Sequence, residues 1–204
     1  ELEVVDAFVD VEHPTVADVL AETSGPRTVV PMLLAADTPL HSAIRAPARL
    51  DPRVTVTPAV GPDWVLAEIG VQRLIEAGAR SDDSIVLAAG RVSDEAAVAD
   101  LGQAARFLSA VWGGRVHLGL LDGPDTGPDV GLGDAIDIAR AYGKRVVVST
   151  YLLSEGRAHD EVAAAGGDVV TAPLLNTGPP DPRLVSLVVA RARSRTSSPD
   201  FAGS

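Results

Sequence analysis

The amino-acid sequence predicts an α/β protein made of two similar three-layer halves, each a parallel sheet covered by helices, with the first half lacking its first strand and helix. Three observations lead there. Short β-branched runs alternate with segments of helical period, the pattern of parallel strands joined by crossover helices. Runs such as Ser84-Ile85-Val86-Leu87-Ala88 are apolar almost throughout, as strands buried on both faces must be. The stretch from Gly25 to His41 returns between Gly143 and His159 at a single offset of 118 positions.

In chain order, strands are expected at 3–9, 27–34, 53–57, 84–89, 116–121, 145–152 and 168–171. Pro14 suits the first turn of a helix over 15–22, since proline lacks only an N–H that has no helical partner there. Over 63–76, Trp64, Ala67, Val71 and Leu74 fall on one stripe. Ser93 is the expected N-cap of the next helix, with Asp94 and Glu95 favoured in its first turn by the helix dipole. Val98, Leu101, Ala105, Leu108 and Trp112 continue that helix, and Gly113-Gly114 ends it. Asp181-Pro182 opens a final helix carrying Leu184, Leu187 and Val188.

The repeat divides the chain. Gly25/Gly143, Arg27/Arg145, Val29/Val147, Val30/Val148, Leu34/Leu152 and His41/His159 coincide, so each copy is a strand, a loop and a histidine near the next helix start. The division expected is 1–80 for an incomplete first half, 81–194 for the second, and 195–204 for a polar, frayed tail. The second half opens with a strand and long helix over 84–112 that has no counterpart before residue 3. As the chain starts at Glu1 without a methionine, a trimmed chain or a lost segment is the expectation.

Composition excludes several classes. The 204 residues are 46% hydrophobic and 22% charged, ordinary for a globular core. No apolar run approaches the roughly 20 residues that cross a bilayer, and no signal segment opens the chain, so a cytoplasmic protein is expected. A net charge of −11 argues against nucleic acid and anionic membranes as partners. The absence of cysteine removes disulfides, thiolate metal sites and cysteine nucleophiles. Lys144 is the only lysine, and no GxxxxGK[ST] phosphate loop exists, so no nucleotide is expected. The Gly- and Asp-rich run 122–129 reads as a loop, because its acidic residues repel phosphate.

Four histidines remain: His13, His41, His117 and His159. None pairs at the i, i+4 spacing of a helix-borne metal site. His117 lies within a strand and reads as a packed or surface residue. His41 and His159 hold matching positions past strand C-termini, where open α/β sheets bind ligands. Asp10, Glu12 and His13 follow the first expected strand in the same way; hard oxygens beside an imidazole suit a divalent metal, but the plainer reading is a solvated turn before Pro14.

These residues resemble the long-form sirohydrochlorin chelatases of the CbiX type, class II enzymes of siroheme and cobalamin biosynthesis. The resemblance runs through Ala7-Phe-Val-Asp-Val-Glu-His-Pro-Thr-Val-Ala-Asp-Val-Leu, Val29-Val-Pro-Met-Leu-Leu, Val54-Thr-Val-Thr-Pro-Ala-Val-Gly-Pro-Asp, Val86-Leu-Ala-Ala-Gly, Ser93-Asp and Val146-Val-Val-Ser-Thr-Tyr-Leu-Leu. It implies a flavodoxin-like topology in each half and ATP-independent insertion of a divalent metal, Co²⁺ or Fe²⁺, which is substrate, into a tetrapyrrole. By the same resemblance His41 and Asp10 are the catalytic pair and metal ligands, joined as a metal ligand by His13 from its place beside Asp10, and Arg45 and Arg49 are the contacts to substrate carboxylates. The sequence departs from that family where the chemistry sits. The family's His-Gly-Ser/Thr segment is absent, Ala89-Gly90 stands at its counterpart, and Pro39 replaces the first histidine of the loop holding His41. The resemblance therefore implies a chelatase of impaired activity; a non-catalytic relative that binds a tetrapyrrole or a protein partner is the alternative. A homodimer is left open.

Overall fold

A computed structural model describes residues 3–9, 12–122, 131–142 and 145–194. Its elements are α1 (Val16–Glu22), β1 (Arg27–Val29), α2 (Thr38–Ala48), β2 (Val54–Val56), α3 (Trp64–Glu76), β3 (Ser84–Ala89) and α4 (Glu95–Trp112), then β4 (Val116–Leu120), α5 (Leu132–Arg140), β5 (Val146–Tyr151), α6 (Arg157–Ala164), β6 (Val169–Val170) and α7 (Pro182–Arg193). The strands form two parallel sheets, β1-β2 and β4-β3-β5-β6. The α/β class expected from the alternating pattern is the one observed.

The larger sheet holds the core, and its side chains alternate across it as the strand period requires. Ile85, Leu87, Ala89, Val147 and Tyr151 face α3, α4 and α7. Val86, Ala88, Val146 and Val148 face α5 and Val162 of α6. All six residues of β3 are buried, because β4 and β5 flank it and helices cover both faces. Helix α3 belongs to the stretch 1–80, yet it packs on α4, β5 and α7, so one apolar core runs through both halves.

Local signals start the helices where side-chain oxygens can satisfy free N–H groups. Thr15 and Asp18 form a reciprocal capping box on α1. Asp63 caps α3 through Val65 N–H at 3.0 Å, and Asp181 caps α7 through Arg183 N–H at 2.8 Å. These two caps also lie 118 positions apart. The cap of α4 is Asp94, not Ser93, accepting from Ala97 N–H at 2.8 Å. Gly113 ends α4 in the left-handed region at φ +80°, a backbone conformation that a residue with a Cβ adopts only under strain.

Two expectations need correction. No strand forms over 3–9: Phe8 makes only an isolated bridge to Thr15, and Val4 is 82% exposed. An extended apolar run becomes a strand only when a neighbour takes its hydrogen bonds along its length, and among the described residues only the turn at Pro14 and Thr15 pairs with it, at Phe8. Strand 27–34 shortens to Arg27–Val29 for the same reason, since among the described residues β1 is paired with β2 alone. Helix α5 was hidden in the sequence behind the Gly- and Asp-rich run; its Leu132, Ala135, Ile136 and Ala139 carry the periodic apolar face. The expected loop over 122–129, beyond Asp122, and the expected tail 195–204 lie outside the described residues.

The halves meet through the loop between β1 and α2. Ser93 donates both its N–H and its hydroxyl to Asp37 Oδ2 at 2.8 Å. Ala36 N–H donates to Asp100 Oδ2 of α4 at 2.9 Å, and the Tyr151 hydroxyl donates to Leu34 O at 3.4 Å. Gly61 closes the same contact: a Cβ there would lie 2.4 Å from Leu34 O and 2.8 Å from the Tyr151 hydroxyl oxygen.

Candidate functional site

In parallel sheets the loops diverge at the strand C-termini, and the widest gap opens where neighbouring strands send their chains in opposite directions. Here that point lies between β3 and β5: α4 leaves β3 across one face of the sheet, and α6 leaves β5 across the other. The β1–α2 loop is stitched onto the same edge by Asp37 and Asp100, which brings the first turn of α2 there as well.

His41 sits in that first turn. Its N–H donates to Asp37 O at 2.9 Å, and Asp37 caps the helix, so the residue that anchors the loop to Ser93 also sets the start of α2. The imidazole is half-buried, and its Nε2 is buried without a well-formed hydrogen bond. Burial, then the charge of Arg45 one turn on, hold its pKa below the ordinary 6.5, while the Thr57 main chain opposes them. At neutral pH His41 is thus a neutral imidazole.

His159 mirrors it. It lies in the first turn of α6, after β5, with Nε2 3.3 Å from Thr171 O at the end of β6. Thr57 holds the corresponding place after β2, and its N–H bonds Val29 O as Thr171 N–H bonds Val148 O, both at 3.0 Å. The two histidines expected to match therefore occupy like surroundings.

The other expected site residues divide. Arg45 and Arg49 lie exposed on α2, with Arg45 close enough to His41 to affect its protonation. His13 is 79% exposed and pairs with Asp18 at 3.2 Å, beside the capping box of α1. Asp10 lies outside the described residues. Among the described residues no group of three His, Asp or Glu side chains converges as a metal site would. His117 is part of the sheet, as its strand context implied. It stacks on Tyr142 at 5.7 Å in an open groove of about 480 Å³ that also holds Trp112, at the opposite, N-terminal edge. Burial and Arg115 hold its pKa down.

Several residues at the cleft edge went unread in the sequence. Asp37 is buried, at 7% exposure, and joins the halves. Arg91 follows β3 directly and reaches Glu161 of α6 at 2.5 Å, and Arg157 reaches the other oxygen of Glu161 at 3.1 Å. The sequence signal for Arg91 is its place after Ala89-Gly90, at a strand C-terminus. Asp37 gave no local signal, because its partner Ser93 is 56 residues away.

With this geometry in place, comparisons with known proteins identify the class of fold. No known family's sequence profile matches the chain, and no curated protein is similar to it in sequence. Solved structures are. SirB from Bacillus subtilis with Fe³⁺ superimposes with a TM-score of 0.63 at 18% identity, over 92% of this chain and 79% of that one. The sirohydrochlorin chelatase SirB from Bacillus subtilis subspecies spizizenii in complex with cobalt gives 0.61 at 17%, over 92% and 78%. DR2241 from Deinococcus radiodurans, a multi-domain protein with structural similarity to chelatases, gives 0.57 at 17%, over 89% of this chain and 44% of that one. The chain has a chelatase-like fold.

Proposed function

We propose that the protein is a chelatase-like binder of a carboxylate-bearing tetrapyrrole, held at the C-terminal edge between the halves. Its activity would be insertion of Co²⁺ or Fe²⁺, as substrate, into sirohydrochlorin, with reduced turnover. The observation that carries this reading is the half-buried, neutral His41, whose Nε2 has no well-formed partner, in a chelatase-like fold. Insertion of a divalent metal expels two pyrrole N–H protons. A neutral imidazole accepts one of them and solvent water the other, and Arg45 on the same helix face suits a substrate carboxylate. Turnover is reduced because Pro39 stands where the family has a further histidine; loss of one base costs about 10²–10⁴-fold.

A second reading has its own support. The lack of a three-ligand group among the described residues favours a relative that binds the tetrapyrrole without inserting metal. Anaerobic incubation with sirohydrochlorin and Co²⁺ or Fe²⁺, followed by absorption, separates the two. Spectral change on sirohydrochlorin addition alone supports binding, and a further slow change on metal addition supports insertion. A spectrum indifferent to the protein refutes both.

A further inference from the structure

We infer that the C-terminal edge of the sheet between β3 and β5 carries a carboxylate-binding clamp formed by Arg91 and Arg157, with Glu161 now occupying the ligand's place. The inference rests on the tetrapyrrole reading for its natural ligand, but the chemistry of the clamp stands without it.

Arg91 leaves the end of β3 and Arg157 opens α6 after β5, so the two cations flank the point where the sheet's connections diverge. Both converge on one carboxylate: Arg91 Nη2–H donates to Glu161 Oε2 at 2.5 Å, and Arg157 Nε–H donates to Oε1 at 3.1 Å. Each oxygen thus has its own guanidinium, the arrangement in which arginines hold a free carboxylate. Two guanidinium groups around one carboxylate leave a local positive charge on a chain whose net charge is −11, so an acidic ligand is drawn here and repelled by most of the remaining surface.

The clamp is open to exchange. The Arg91 and Arg157 side chains are 52% and 91% exposed, and Glu161 lies on the helix of Arg157, one turn on. Exposed pairs of this kind are held weakly, so a ligand carboxylate can take the place of Glu161 with little loss. The ligand class is a small molecule bearing carboxylates.

The test uses citrate as a plain polycarboxylate probe, titrated by calorimetry at low ionic strength, and sirohydrochlorin titrated by absorption. Glu161→Gln is expected to bind citrate about tenfold more tightly than the parent protein, the effect of one additional charge-assisted hydrogen bond to the ligand. Adding Arg91→Ala or Arg157→Ala to Glu161→Gln is expected to abolish that increase. Sirohydrochlorin affinity is expected to fall about tenfold in Arg91→Ala. If Glu161→Gln binds citrate no more tightly than the parent, or its tighter binding survives loss of either arginine, the clamp is overturned. If citrate follows the expected pattern while sirohydrochlorin binds no variant, the clamp stands and the tetrapyrrole reading fails. If sirohydrochlorin binds the parent and Arg91→Ala alike, the clamp is overturned as its subsite and the tetrapyrrole reading stands.

Discussion

The two halves place nearly the same sequence in unlike surroundings. Arg27-Thr-Val-Val and Arg145-Val-Val-Val both run into a parallel strand, and in each the arginine is tied to an aspartate, Arg27 to Asp51 and Arg145 to Asp83. Yet β5 runs for six residues, all buried, while β1 runs for three and is partly exposed. The cause is the neighbour: among the described residues β5 is paired on both edges, by β3 and β6, and β1 only with β2. Equal propensity thus yields unequal strands, and stability follows paired edges and covered faces.

The sharpest test of that contrast lies in the central strand. Leu87→Ala in β3, where the side chain is 2% exposed, is expected to cost about 3 kcal/mol by urea unfolding. A loss below about 1 kcal/mol would show that β3 is not the centre of the core. The matched valines come next. Val147→Ala, fully buried, is expected to cost about 2 kcal/mol, and Val29→Ala, half-buried, about 1 kcal/mol or less. Equal costs would break the comparison. Hydrogen exchange gives the same contrast without mutation: amides of 27–29 and 54–56 should exchange well ahead of those in 84–89 and 146–151.

The stitch between halves has a smaller effect. Ser93→Ala removes one hydrogen bond to buried Asp37 while leaving the cap of α2 in place, and is expected to cost about 1 kcal/mol. The loss should show as faster exchange over 34–41, with the protection of 84–89 unchanged; uniform loss across both regions would mean that the bond does not join two separable parts.

The smallest effect is that of pH. His41 and His117 both have pKa values held below 6.5, so between those values and 6.5 the unfolded chain binds more protons than the folded one. Stability is therefore expected to be flat above about pH 7 and to fall as pH drops through 6.5 toward the depressed values. His41→Asn and His117→Asn should each flatten part of this slope. A urea midpoint with the same pH dependence in both variants as in the parent would contradict it.

Much of this was legible in the sequence. The strands of the second half, the helix caps Asp63 and Asp181, and the matched places of His41 and His159 all rest on local rules that a run of a few residues satisfies by itself. The segment 3–9 misled because alternation shows what a strand can bury, not whether a neighbour is there to pair with it. The strand-end position of His41 was legible in the sequence, whereas the contacts of Asp37, Arg91 and Glu161 were not, since the partners lie 56 and 70 residues away.

By itself the sequence determined the α/β class, the two-fold repeat of strand, loop and histidine, and the chemistry it lacks: no thiols, and no phosphate loop. Those follow from periodicity and composition, which act over a few residues at a time. Only the tertiary structure decided that α3 belongs to the core of the second half, that Asp37 stitches the halves at Ser93, and that two arginines meet on Glu161. Such contacts depend on which distant segments the packed sheet brings together, and no local pattern encodes that choice.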